Sequence, residues 1–329
     1  MERQPAADAL KRQKKFFSID KHIITEGAKI DFKLYLPNET KTAMSVFLQS
    51  DTVVDGNAKV KLREIEMLYI SEEEHAQYQA YMHQHIQTIA RSREIPTERK
   101  AAIIYERATE VIDEMFKNPE SLENVKNAQP LVNSFVEIIL HDLNAVESLM
   151  RITAHDYYTH THSINVSIYT LSLGAYLGVE GKDLETLGMA AVLHDLGKSK
   201  VDYEIINKNG KLTDEEFGQM KNHPALGHAI ALELGIFDPR VLTGIRHHHE
   251  KMSGGGYPDN LKGDEISQFA RIIGVCDVFD ALSTKRSYKD PMSSFEALKL
   301  MKETMKEHLD MNMVNAFIKM LLKRGEQHG

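Results

Sequence analysis

Leu187–Lys198 reads LGMAAVLHDLGK. An apolar run of helical period ends on His194 and Asp195. Gly197 is a natural residue just past a helix C-terminus, so the pair is expected where a helix gives out. What these two polar side chains face decides how the rest of the chain is read.

Several of the 16 histidines fall at similar places. On a helix through THTHSINVSIYTLSL, His162 shares a face with Val166, Tyr169 and Leu173 and points inward. His223 follows LTDEEFGQMKNHP. Thr213 and Glu216 form a capping-box pattern for that helix, and Pro224 is expected to force an extended or turn geometry at His223. His247, His248 and His249 end a further helix and run into the loose backbone of Gly254–Gly256. Asp277 lies in the almost wholly apolar FARIIGVCDVFDALSTKR, with Asp280 on nearly the same face. A buried aspartate there costs several kcal/mol unless it is paired or bound to metal. Taken singly, each histidine reads as a core or surface residue. Together, imidazole and carboxylate without thiolate suit iron, manganese, zinc or nickel, and seven such groups on separate helices are enough for two ions.

The 329 residues are 42% hydrophobic and 27% charged, with a formal net charge of -8. That composition suits a globular protein and argues against non-specific DNA binding, which needs a basic face. One cysteine, Cys276, excludes a disulfide framework or a cysteine zinc site and fits a cytoplasmic setting. No secretory signal and no membrane span are expected. Short β-branched runs before residue 75, including IDFKLYLP, MSVFLQSDTVV and VKLREIEMLYI, are separated by turn residues and read as strands. After residue 75 the chain reads as successive helices, with a break expected between 127 and 130. The expected fold is α+β, a small mostly β N-terminal domain followed by an all-α helical bundle. The expected division is residues 1–75 β-rich and regulatory, 76–135 a helical linker, and 136–329 the catalytic domain.

HDLGK at 194–198 and HHEKMSGGGYP at 248–258 resemble the HD-GYP family, a branch of the HD superfamily of metal-dependent phosphohydrolases. The resemblance runs from about residue 150 to 305 and includes HDYYTHTHSINVS, MKNHPALG and ARIIGVCDVFDALSTKRSYK. It implies a phosphodiesterase that cleaves cyclic di-GMP to pGpG, in some members on to GMP, by attack of a metal-bridging hydroxide. It implies His162, His194, Asp195, His223, His248, His249 and Asp277 as metal ligands, with Asp195 bridging two ions, iron first and manganese second. Lys198 is implied as a phosphate contact and catalytic group, with Gly256, Tyr257, Arg286 and Lys289 against the substrate. Some members hold a third metal through an acidic residue four positions before the first histidine ligand. Here that position is Tyr158, so a dinuclear site is expected.

The chain departs from the commoner family pattern at Asp202, Asn209, Met252, Ser253 and Ser287. Each change reshapes a loop around the pocket and leaves the ligand set intact. A low-turnover cyclic di-GMP receptor or protein-interaction module, and a phosphohydrolase for another nucleotide, therefore stand as rival readings. A homodimer or a signalling partner protein also stays open.

Overall fold

A computed structural model describes residues 15–38, 43–141, 143–153, 159–208, 210–284 and 292–325. The chain divides into two compact units, one ending at Ile89 and one beginning at Ala90.

The first unit carries strands β1 (Phe16–Ile19), β2 (Lys29–Ile30), β3 (Leu34–Pro37), β4 (Met44–Leu48), β5 (Thr52–Val53) and β6 (Leu68–Ser71). A four-stranded antiparallel sheet has the order β1-β6-β3-β4, and β2 pairs with β5. Ile19, Leu34, Leu68 and Ile70 are buried with Ile23, Ile30 and Phe32. One expected strand is corrected. The stretch VKLRE belongs to helix α1 (Gly56–Glu64). Asp55, read as a turn residue, caps it by accepting from the Ala58 N–H at 2.7 Å, and Ala58 and Leu62 bury one face four residues apart. Helix α2 (His75–Arg91) follows. Glu74 ties down the Lys33 N–H at 3.0 Å and the Tyr35 hydroxyl at 3.3 Å, while Ser71 accepts from the Glu73 N–H. The Ser71–Glu74 spacing in the sequence suggests a capping box, and that is not the contact formed.

The second unit is helical throughout. Its helices are α3 (Thr97–Lys117), α4 (Leu122–His141), α5 (Leu143–Thr153), α6 (Thr159–Tyr176), α7 (Gly181–Leu193) and α8 (Tyr203–Ile206), then α9 (Asp214–Met220), α10 (His223–Glu233), α11 (Pro239–His247), α12 (Gln268–Ser283), α13 (Ser294–Thr304) and α14 (Met311–Gly325). α6 is buried on nearly every side and packs against α7 and α12. A helix apolar all round belongs at the centre of a bundle. α4 runs unbroken through Pro130, where a break was expected. The proline removes one N–H, and burial of Ala128, Leu131, Val132 and Phe135 on both sides of it keeps the helix intact. The fold class is the expected one. Among the described residues no helix is long and apolar enough to cross a membrane.

Candidate metal centre

Four helix ends and one helix interior converge in the second unit. His162 comes from the first turn of α6. His194 caps the C-terminus of α7, and Asp195 opens a tight 3-10 turn, Leu196–Lys200. His223 is the first residue of α10, not an extended residue as expected. Pro224 sits in the first turn, where a missing N–H costs nothing. His248 and His249 follow the end of α11, and Asp277 lies inside α12.

Gly197 makes this convergence possible by close approach. It has no left-handed backbone and does not act as the helix terminator expected. A Cβ there would lie 1.9 Å from the His223 carbonyl oxygen and 2.4 Å from the Gly227 nitrogen. The turn after His194-Asp195 therefore rests directly on the backbone of α10.

All seven residues meet. Asp195, His223, His248 and His249 each offer a ligand atom within 4.8 Å of the others, and so do His162, His194 and Asp195. Asp195 belongs to both groups. Its Oδ1 is 3.2 Å from His223 Nε2 and its Oδ2 is 3.4 Å from both His162 Nε2 and His194 Nε2. Asp277 joins them, with Oδ1 3.1 Å from His162 Nε2 and Oδ2 3.8 Å from His249 Nδ1.

Hydrogen bonds on the far side of the rings fix the tautomers. Nδ1 of His194, His223 and His248 donates to the carbonyls of Ala191, Met220 and Ile245 at 2.7–2.8 Å. Each Nε2 is thereby left as a lone pair aimed at the centre. His223 Nε2 and His248 Nε2 face each other at 3.3 Å with no proton between them to share. His162 Nε2, His194 Nε2 and Asp195 Oδ1 are buried without a well-formed hydrogen bond. So many converging acceptors need a cation, and this donor set fits divalent metal.

Within the protein itself the carboxylates and imidazoles of the centre also act on one another. Burial opposes ionisation of Asp195, but Lys198 and His194 outweigh it and hold the carboxyl well below the usual range. Burial disfavours charge on His162, yet Asp195, Asp277 and Asp280 together raise its imidazole well above the ordinary value. His249, pushed down to about 3 by burial against the pull of Asp277, stays neutral. Lys198 places its Nζ 2.5 Å from Asp195 Oδ2.

Asp280 was noted in the sequence only as a neighbour of Asp277. Its Oδ2 accepts from His162 Nδ1 at 2.7 Å, and its Oδ1 accepts from Asn165 at 3.0 Å and Thr284 at 2.9 Å. Asn165 in turn accepts from the Tyr105 hydroxyl of α3 at 3.0 Å. The burial argument used for Asp277 identifies Asp280 equally well. Asp280→Ala is expected to weaken metal binding by about 10- to 100-fold at unchanged helical content, read by titrating metal into the apoprotein. Unchanged affinity would remove Asp280 from the site's support.

The glycine loop is stitched down rather than loose. Glu250, buried, accepts from the backbone N–H of Asp259 at 2.6 Å and of Leu261 at 3.0 Å. Asp259 takes two bonds from Arg246 at 2.7 Å and lies 2.9 Å from His247 Nε2. His247, the first histidine of the triplet, is thus an anchor for the loop. Gly254 and Gly255 have positive φ, and a Cβ on Gly256 would come within 2.5 Å of Glu250 Cα and Lys251 N. The loop delivers Tyr257, whose ring stacks on His249 at 4.8 Å between centroids. Arg286, Lys289, Tyr158, Asn209 and Ser287 lie outside the described residues.

A family model for the HD domain matches residues 144–313, and the chain belongs to that family. The resemblance to its HD-GYP branch is borne out. In sequence the chain is similar to a cyclic di-GMP phosphodiesterase of Pseudomonas aeruginosa, 35% identical over 223 residues, which are 67% of this chain and 54% of that protein. It is also similar to 3'3'-cGAMP-specific phosphodiesterase 3 of Vibrio cholerae, 33% identical over 217 residues, 61% of this chain and 46% of that one. The chain spans about half the length of these relatives. In fold it is similar to an HDG"Y"P protein from Bdellovibrio bacteriovorus, with a TM-score of 0.66 at 22% identity, covering 94% of this chain and 100% of that one.

Proposed function

We propose that the chain is a metal-dependent phosphodiesterase that hydrolyses cyclic di-GMP to pGpG, with GMP the product of any second cut. The observation that supports it most is the cluster of buried Nε2 lone pairs and carboxylates in two groups that share Asp195. In this reading His162, His194, Asp195, His223, His248, His249 and Asp277 hold two divalent ions, iron by preference and manganese second. Bound there, the metal supplies positive charge for a phosphodiester and activates water at neutral pH.

The chain's own residues supply the rest. His249 is the most exposed of the seven, so substrate enters on its side, past Tyr257. Burial and the nearby carboxylates of Asp277 and Asp195 push the Tyr257 phenol up, so it meets substrate as a neutral donor with an apolar face. Gly256 is assigned to the substrate pocket from the family resemblance, and its missing side chain lets the loop that carries Tyr257 close on Glu250 and Lys251. Lys198 carries the charge that stabilises a phosphate oxygen, and Arg286 and Lys289 are assigned further phosphate contacts from the family resemblance. We assign residues 1–75 a regulatory role in a cytoplasmic protein, where a second copy or a signalling partner would act, with 136–329 carrying the catalytic residues and 76–135 as the helical segment between them, which also supports the centre through Tyr105 of α3.

The test uses protein purified without oxygen, loaded with iron(II) or manganese(II) and given cyclic di-GMP. Chromatography is expected to show pGpG, or GMP where pGpG is cut again. Two bound metals with no product would sink the reading in favour of a receptor. A second substrate, 3'3'-cGAMP, belongs in the same assay because of the Vibrio cholerae relative. Preferred cleavage of it would change the substrate and keep the chemistry.

Metal is also expected to hold the fold together. At about a hundred times its Kd it should stabilise the native state by about 2.7 kcal/mol. A chelator should lower Tm by several degrees, and added manganese should restore it. An unchanged Tm would mean that the cluster is not occupied in the native protein.

A further inference from the structure

Lys221 and Phe217 flank the metal centre, and neither has a role in the reading above. α9 is fixed at its start by Thr213 and Glu216, which form the expected capping box. At its end Lys221 closes the helix, its N–H donating to the Phe217 carbonyl at 3.0 Å. Two residues on, His223 enters the centre, so the same turn positions both. The Lys221 ammonium lies 4.6 Å from the centroid of the Phe217 ring and 6.0 Å from that of Tyr257. Tyr257 stacks on His249, which leaves Lys221 one aromatic ring away from a proposed metal ligand. Phe217 is 44% exposed, so its ring is open to a ligand.

Among the described residues the Lys221 ammonium meets these two rings and no carboxylate. A cation held over aromatic faces needs no counter-ion, so an arriving anion has no salt bridge to break. The chain carries a net charge of -8, and local cations decide where an anionic ligand settles on such a surface. A cyclic dinucleotide brings two phosphodiesters and two purines. The metal centre can engage one phosphodiester at a time. The other phosphate and a purine must be met outside it, on the open His249–Tyr257 side.

We infer that Lys221 pairs with the phosphodiester that is not being cleaved and that Phe217 stacks a purine of the same ligand. This edge of the pocket then selects cyclic dinucleotides over smaller diesters. The inference rests on the cyclic-dinucleotide reading and adds its recognition element.

The test compares steady-state kinetics on cyclic di-GMP and on bis-p-nitrophenyl phosphate, a diester with one phosphate and no purine. Lys221→Ala is expected to raise KM for cyclic di-GMP about tenfold with little change in kcat. The preference for cyclic di-GMP over the small diester should fall by the same factor. Lys221→Arg should recover most of it. Phe217→Ala should raise the same KM by about fivefold or more. Metal per chain is measured for each variant. An unchanged KM overturns the inference. Equal loss on both substrates together with reduced metal also overturns it, since Lys221 would then only support His223. If the unaltered protein cleaves the small diester but leaves both cyclic di-GMP and 3'3'-cGAMP intact, the cyclic-dinucleotide reading fails and the inference falls with it.

Discussion

Gly197→Ala is expected to deprive the protein of bound metal and of a large part of its stability. The added methyl would need to share space with the His223 carbonyl and the Gly227 nitrogen. Both are backbone atoms, which cannot rotate aside as a side chain can. Overpacking a core commonly costs about 1–3 kcal/mol, and a clash between two backbones belongs at or above the upper end. The only relief is for the Leu196–Lys200 turn to lift off α10, which parts Asp195 from His223. Calorimetry should show a lower Tm, and metal analysis should show less than one ion per chain. Gly227→Ala is the milder comparison, since its methyl would meet Gly197 N and Ile245 Cγ2 at 3.1 Å. If Gly197→Ala kept full metal content and Tm, the turn would be free to move and the packing argument would be wrong.

Asp195→Asn is expected to empty both proposed metal positions at once while the chain still folds. The amide keeps the shape of the carboxylate and removes its charge. Asp195 reaches His162, His194 and Lys198 through one oxygen and His223 through the other, so no neighbour can replace it. Losing an outer partner of a ligand costs about 10- to 100-fold in metal affinity. Losing the ligand common to both groups should exceed that range at each position, and hydrolysis should fall to the level of the metal-free protein. His194→Gln, which touches only one of the two groups, should leave partial metal content. Retention of two ions by Asp195→Asn would contradict the shared role of this carboxylate.

The site was more legible in the sequence than its supports were. His162, His194, Asp195, His223, His248, His249 and Asp277 stand out because they interrupt apolar helices or end them, where burial makes a polar residue expensive. The groups that hold them do not stand out. Glu250 looks like one more acid after a histidine run, and its burial depends on a loop that returns eleven residues later. Arg246 and Asp259 look like surface charges until that loop closes. Asp280 was within reach of the same reasoning as Asp277, but its partner lies 118 positions away. In the first unit, VKLREIEMLYI alternates well enough to read as one strand. The capping carboxylate of Asp55 and the four-residue spacing of Ala58 and Leu62 turn its first half into α1. Pro130 misled in the opposite direction, since a proline in a helix packed on two sides breaks one hydrogen bond and not the element.

The relay from Tyr105 through Asn165 and Asp280 to His162 starts on α3. The match to the HD family begins only at residue 144. The imidazole that faces both Asp195 and Asp277 is therefore oriented in part by a hydroxyl contributed from upstream of the recognisable module. A chimera that grafts the catalytic segment at the edge of the family match would carry every ligand and still inherit a slack His162. The heritable unit of this centre, the piece that can be transplanted between regulatory partners without retuning, includes the helix in front of it.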